Sequence, residues 1–263
     1  MKIARYKIGS QVTYGIVDLD KDSVTDIRGT PFEQYEKTSN VHKLSDVKLL
    51  APATPINLFT TGVNSRSHAE SVQNAPQYSP TFMTRPTPTV SIRNIASIAG
   101  HEDKIIRPAD AESFRTEVEM VVVIGKKMKK VTGPDVYNYI LGYTVGNDLT
   151  IKEAEYAKEG WRAKNCDTMH PIGPWIETEL DSPRDVMRRS WVNGELTQEE
   201  ACTNDRFGVP EVVGRIAWYI TLYPGDMIFM GTCGEPPDGQ VGDTVEVGIE
   251  GIGVLRNYII ADE

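Results

Sequence analysis

Three carboxylates stand beside sequence that reads as buried. Glu117 and Glu119 open an apolar run, EVEMVVVI, and Asp148 ends the segment Gly146-Asn147-Asp148. A charge taken out of water must be paired or must hold a metal. In an extended chain alternate side chains share a face, so Glu117 and Glu119 point the same way, roughly 7 Å apart along the strand. That spacing lets two carboxylates converge on one ion. A Glu-x-Glu pair taken alone is more often a solvated strand end. Asp148 gives the pair a third partner if the fold returns it to the same place. Oxygen ligands without clustered cysteine or histidine point to a hard cation, Mg²⁺ or Mn²⁺, rather than Zn²⁺. The four histidines, His42, His68, His101 and His170, are scattered and form no His-Glu-x-x-His zinc helix.

The surrounding sequence supplies elements to position these groups. A strand is expected over 116–124, β-branched and stopped by Gly125, with a lysine-rich hairpin tip after it. Thr132-Gly133-Pro134-Asp135 starts a short helix that Gly142 should end, and a strand over 143–146 then delivers Asp148. A polar helix is expected over 152–160. Asn193-Gly194 is a type I′ turn signal within a hairpin over 191–197. Apolar residues recur at helical spacing over 209–223. A buried strand over 227–230 leads into Gly231-Thr232-Cys233-Gly234, and two more strands cover 244–249 and 254–261.

Upstream, short strands are expected over 2–7, 13–19 and 23–27. Ala51-Pro52-Ala53-Thr54-Pro55 reads as an extended linker. We therefore divide the chain into a small β-rich unit, 1–55, and a main domain, 56–263. A unit that small has only a marginal core and should pack on its neighbour. A strand over 57–62 precedes Asn64-Ser65-Arg66-Ser67-His68-Ala69-Glu70 and a stretch with prolines at 76, 80, 86 and 88. His68, Glu70 and Arg66 offer a base and an anion contact there, although most loop histidines do no chemistry.

Composition limits the alternatives. The chain has 263 residues, 40% hydrophobic and 25% charged, enough to bury a core. A net charge of -9 disfavours nucleic acid and acidic membrane faces as partners. An acidic protein that handles an anion needs local positive charge from a metal or from placed lysines and arginines. No apolar run reaches the roughly 20 residues of a membrane span. Cys166, Cys202 and Cys233 are odd in number and dispersed, as expected of free thiols in the cytoplasm. Phosphate-loop, dinucleotide and nucleophile-elbow motifs are absent.

The motifs also form an ordered set. It runs Asn64-x-Arg66-x-His68; Glu117-Val118-Glu119; Gly142-Tyr143 with Asn147-Asp148; Lys164-x-x-Asp167-Thr168 with Pro171-Ile172-Gly173-Pro174; Val192-Asn193-Gly194-Glu195; Pro224-Gly225-Asp226; Gly231-Thr232; and Gly251-Ile252-Gly253. In this order the chain resembles the fumarylacetoacetate hydrolase family, in its acylpyruvase and 2-hydroxyhepta-2,4-diene-1,7-dioate isomerase branch. The resemblance implies a mainly β, α+β fold, a mixed β-sandwich roll with a small N-terminal β-rich domain. It implies a homodimer with a Mg²⁺ or Mn²⁺ site and a small 2-oxo acid substrate, acting in the catabolism of aromatic or related compounds. Its members cleave C–C bonds of acylpyruvates by hydrolysis, decarboxylate β-oxo acids or isomerise dienols.

Carried over by position, Glu117, Glu119 and Asp148 match the metal ligands. Lys164 matches the active-site lysine, Thr232 a substrate-contacting threonine, and His68 the histidine that activates water. Arg66, Arg85 and Lys152 join Thr232 as substrate-contact candidates. The first expectation is a metal-dependent C–C hydrolase, with decarboxylase or enol–keto isomerase as the alternative. The pattern departs at the water-activating position. Hydrolytic members carry a glutamate three residues after the histidine; here that residue is Ser71, and Glu70 sits one place earlier, where a helix would turn it away.

Overall fold

The computed structural model describes residues 1–74, 84–156 and 158–262; the prolines at 76 and 80 lie outside the described residues. The described chain is mainly β and builds two mixed sheets. The larger begins with the hairpins of β1 (Lys2–Ile8), β2 (Gln11–Asp18), β3 (Ser23–Gly29) and β4 (Tyr35–Lys43), with β5 (Lys48–Leu50) paired to β1. It continues through β6 (Leu58–Gly62), β7 (Thr89–Arg93), the short β8 (Ile98–Ala99), β10 (Val118–Ile124), β11 (Ile140–Asn147), β12 (His170–Glu177) and β15 (Met227–Phe229). In space its main path runs β4-β3-β2-β1-β12-β11-β10-β15-β6-β7. The smaller sheet runs β14-β13-β16-β17-β9, from β9 (Lys104–Arg107), β13 (Met187–Val192), β14 (Glu195–Ala201), β16 (Thr244–Ile249) and β17 (Gly253–Ala261).

The run at β10 explains the layering. All seven of its residues are buried, as a strand covered on both faces requires. Val118, Met120, Val122 and Ile124 pack with Val247, Ile249 and Leu255 of the smaller sheet and with Val212, Val213 and Ile216 of a helix. Val121 and Val123 face the opposite core, with Leu58, Ile172, Ile176 and Phe229. The expected alternation therefore holds, and Glu119 lies on the Val121 side. Glu117 sits just before the strand, which starts at Val118 rather than Thr116.

Among the described residues four short or medium α-helices accompany the sheets: α1 (Arg66–Val72), α2 (Lys152–Tyr156), α3 (Gly160–Lys164) and α4 (Val209–Tyr219). The expected single helix over 152–160 is thus two short pieces. The helix expected to reach residue 223 ends at Tyr219, where Ile220 turns extended and caps it with an N–H to Ile216 O. Gly142 does not end a helix; it lies inside β11, and the preceding turn is a 3-10 helix, Gly133–Tyr139. The Asn193-Gly194 turn forms with both residues at positive φ, 52° and 84°, between β13 and β14.

The first five strands do not stand apart. β1 pairs with β12 through Lys2↔Glu177 and Ile3↔Ile176. Ala4, Tyr6, Val17, Val24 and Leu49 share a core with Trp175. Among the described residues no helix is long and apolar enough to cross a membrane.

Candidate active site

Local structure brings Glu117, Glu119 and Asp148 together. The Asn147 side chain accepts the Glu117 N–H at 2.7 Å, and Asp148 N–H donates to Glu117 O at 3.1 Å, so the loop entering β10 is stapled to the end of β11. Gly146 lets β11 close on β15, because a Cβ there would meet the Phe229 ring at 2.3 Å. The result is three buried carboxylates whose nearest ligand atoms all lie within 4.8 Å of one another.

At that separation, and an effective dielectric near 20, each carboxylate pair repels by about 3 kcal/mol. The protein answers with two cations. Lys164 Nζ, at the end of α3, lies 2.7 Å from Glu117 Oε2 and 3.1 Å from Asp148 Oδ2. Arg93, from β7, forks onto Asp148 with Nε at 3.0 Å and Nη2 at 2.9 Å. His170 Nε2 lies 3.1 Å from Asp148 Oδ1 and, facing a carboxylate, must donate. Burial keeps the His170 imidazole below its ordinary pKa, so it contributes a dipole and not a charge.

Three carboxylates against two cations leave one negative charge in excess. It falls on Glu119, whose Oε2 accepts the Gly231 N–H at 2.5 Å and which has no ion pair among the described residues. Burial, then the Asp148 and Glu117 charges, hold its carboxyl well above the usual range. Asp148 goes the other way: burial would raise it, and Arg93 and Lys164 hold it well below. An all-oxygen set with one uncompensated charge fits a hard divalent cation, which would leave the centre net positive for an anionic ligand.

The centre opens into a cleft of about 540 Å³ that His68, Arg115, Lys152, Trp161, Lys164 and Thr232 help to line. Thr232 and Lys152 of the expected substrate contacts therefore reach the cleft. Arg66 and Arg85 do not line it. Arg66 is exposed and reaches Asn204 O at 3.4 Å, and Arg85 donates to Thr89 Oγ1 at 3.1 Å.

The expected His68–Glu70 pair does not form. Glu70 faces a separate depression with Arg66, Ala69 and Arg206, because α1 is a regular helix and residues two apart diverge on it. Ser71, one turn on, is the residue on the His68 side, with Oγ 2.9 Å from His68 O. The ring is oriented by a backbone group instead: Nδ1 lies 2.8 Å from Gly234 O, and a carbonyl can only accept. A neutral His68 then carries its proton on Nδ1 and keeps Nε2 as the acceptor.

Arg93 and His170 are the functional positions sequence reasoning missed. Arg93 reads as one cation in a polar stretch, and only the β6–β7 pairing turns it inward. His170 was set aside with the scattered histidines. Its one signal is its place immediately before the apolar run Pro171-Ile172-Gly173-Pro174-Trp175-Ile176.

The chain matches the family described as Fumarylacetoacetate (FAA) hydrolase C-terminal over residues 57–260, and one described as Rv2993c-like, N-terminal, over residues 1–52. A solved structure of 5-carboxymethyl-2-hydroxymuconate delta-isomerase from Mycobacterium smegmatis superimposes with a TM-score of 0.89 at 32% identity, covering 100% of both chains. A fumarylacetoacetate hydrolase from Exiguobacterium antarcticum superimposes with a TM-score of 0.81 at 26% identity, again over 100% of both. The 4-hydroxyphenylacetate degradation bifunctional isomerase/decarboxylase of Salmonella dublin is 35% identical over 210 residues. That match takes in 78% of this chain and 47% of the relative, so the chain spans about half the length of that enzyme.

Proposed function

The chain belongs to the fumarylacetoacetate hydrolase family, and on that premise we propose that it binds a 2-oxo acid at a Mg²⁺ or Mn²⁺ ion on Glu117, Glu119 and Asp148 and rearranges it through an enolate, by decarboxylation or enol–keto isomerisation. The observation that carries this reading is the setting of His68. Its Nδ1 is held by the Gly234 carbonyl, while Glu70 lies on the other side of α1. A carbonyl dipole stabilises an imidazolium less than a carboxylate does, so this His68 is a weak activator of water. Moving a proton to or from a substrate carbon asks less of it, and loss of CO₂ needs no water at all.

The ion, when bound, polarises the oxo group and orients the adjacent carboxylate. Lys164, 15% exposed, donates to Glu117 and Asp148, and from there its positive charge would act on a developing enolate oxygen with little screening. Arg93 and His170 hold Asp148 in one orientation. Thr232 and Lys152 line the cleft beyond the acidic centre and offer donors to the rest of the substrate.

The test is CO₂ release and solvent deuterium exchange at C3 of 2-oxo dicarboxylic acids, with Mg²⁺ or Mn²⁺ and with chelator. Turnover should require metal; equal rates in chelator would sink the reading. Hydrolysis of acylpyruvates is the second reading, favoured by a neutral His68 that keeps Nε2 as acceptor on the cleft wall. If it holds, His68→Ala should cut pyruvate release by roughly 10²–10⁴-fold. If the first reading holds, the same change should leave decarboxylation within about tenfold, because no water needs to be activated.

A further inference from the structure

Arg188, on β13, is fully buried, lies in neither the cleft wall nor the acidic centre, and yet touches the supports of both. Its Nη1 donates to Gly231 O at 2.9 Å, and the Gly231 N–H donates to Glu119. Its Nη2 donates to Glu200 Oε1 and Asp205 Oδ1, both at 2.7 Å. The same Glu200 oxygen accepts from Ser65 Oγ at 2.7 Å, and Ser65 is the N-cap of α1, the helix that bears His68. Ser65 Oγ also lies 2.9 Å from Ser67 Oγ, which accepts the Gly234 N–H at 2.8 Å; Gly234 in turn orients the His68 ring. One guanidinium thus joins the base of the His68 helix to the backbone that holds Glu119.

We propose that Arg188 is a positioning residue that, through Glu200 and Ser65 on one side and Gly231 on the other, fixes the distance between His68 and the carboxylate centre. The proposal rests on the functional reading above for its kinetic part alone.

Two features favour this over a purely architectural role. A buried charge with two carboxylates is a poor way to gain stability, because desolvation offsets most of the attraction. Among the described residues Arg188 Nε also has no acceptor, so the group is not fully satisfied there. What the arrangement does supply is direction. A planar fork addresses three acceptors at fixed angles, which a lysine ammonium cannot reproduce. Gly231 must be glycine for this contact, since its φ is 94° and a Cβ there would meet Asn64 Cβ at 2.8 Å. The hairpin β13–β14 therefore acts as a bracket that sets α1 against the acidic centre.

The experiment compares the wild-type chain with Arg188→Lys and Ser65→Ala. The second variant breaks the link at α1 without leaving a buried charge unpaired. Hydrogen–deuterium exchange of the amides of 66–72 is followed in chelator, so this readout is independent of metal and turnover. Both variants should speed that exchange at least tenfold while the amides of β10 keep their protection. With Mn²⁺ and a 2-oxo acid, kcat should fall at least tenfold and KM stay within threefold. Adding back the Ser65 hydroxyl as Ser65→Thr should restore both quantities. Unchanged exchange at 66–72 in both variants would overturn the proposal. So would equal acceleration throughout the chain, which marks a general loss of stability. If no 2-oxo acid is turned over by the wild type, the functional reading falls, and the exchange data still decide the role of Arg188.

Discussion

Among the described residues Glu119 is the carboxylate of the centre that no lysine or arginine touches, and its behaviour is the sharpest test of the centre. Its carboxyl is held above the ordinary 4.5 by burial and by Asp148 and Glu117. A carboxyl raised in the folded state favours folding below 4.5 and loses that contribution as pH rises through its folded value. At neutral pH in chelator, Glu119→Gln should therefore be the more stable form, with the higher Tm. The difference should shrink as pH falls below 4.5. In Mn²⁺ the order should reverse, since a ligand at a hundred times its Kd adds about 2.7 kcal/mol to the wild type and less to the variant. Thermal melts in chelator and in Mn²⁺ measure both signs. A variant less stable in chelator would contradict the charge count.

At this scale much of the centre was readable. Glu117 and Glu119 follow from strand alternation, and Asp148 and Lys164 from the ordered motifs. Arg93 was not readable, because its role depends on a pairing between β6 and β7 that brings it to a partner 55 residues away. The fate of Glu70 was readable as a condition: residues two apart diverge on a regular helix, and α1 is one.

Among the elements, the turn before β15 carries a carboxylate whose work is structural. Asp226, in Pro224-Gly225-Asp226, is fully buried and far from being a ligand. Its Oδ1 accepts from Ile56 N at 3.1 Å and Asn57 N at 2.8 Å, and its Oδ2 from Asn57 Nδ2 and Tyr223 N, both at 2.8 Å. It clamps the start of β6 to β15, the parallel pair that carries Thr60 to within 3.4 Å of Asp148. Asp226→Ala should cost about 1–3 kcal/mol, since it leaves partly buried N–H groups of Ile56, Asn57 and Tyr223 without this acceptor. Denaturant unfolding measures the loss, and metal affinity of the folded fraction should stay near that of the wild type. Gly146→Ala belongs to the same scale. Its methyl would meet Phe229 and Val121, and overpacking of this kind costs roughly 1–3 kcal/mol. Element type and order were largely legible from periodicity and turn residues. Element ends were not: α4 stops at Tyr219 because Ile220 is drawn into extended backbone, and no residue type in 209–223 announces that.

The molecule as a whole is held at its N-terminal seam by Glu177. Burial would raise this carboxyl, but hydrogen bonds from Lys2 and the terminal amine outweigh it and bring it down from 4.5 to about 2. A lowered carboxyl adds stability above 4.5 that is lost as pH falls through its folded value. Acid melts between pH 4.5 and pH 2 should therefore show a loss of stability that Glu177→Gln lacks, with the variant less stable at pH 7. Glu177 itself is buried, but the terminal amine that pairs with it is a third exposed, so screening keeps the effect modest.

The two family matches cover residues 1–52 and 57–260, and the larger sheet runs across the join. That β1 hydrogen-bonds to β12 has a consequence for anyone who trims the protein. Without residues 1–52, β12 becomes an open edge with bare N–H and C=O groups, next to an uncovered Trp175. Such an edge is a template for other chains. The shortened protein should be sticky, assembling edge to edge into soluble aggregates that light scattering detects, with Trp175 emission shifted to the red before any loss of the acidic centre.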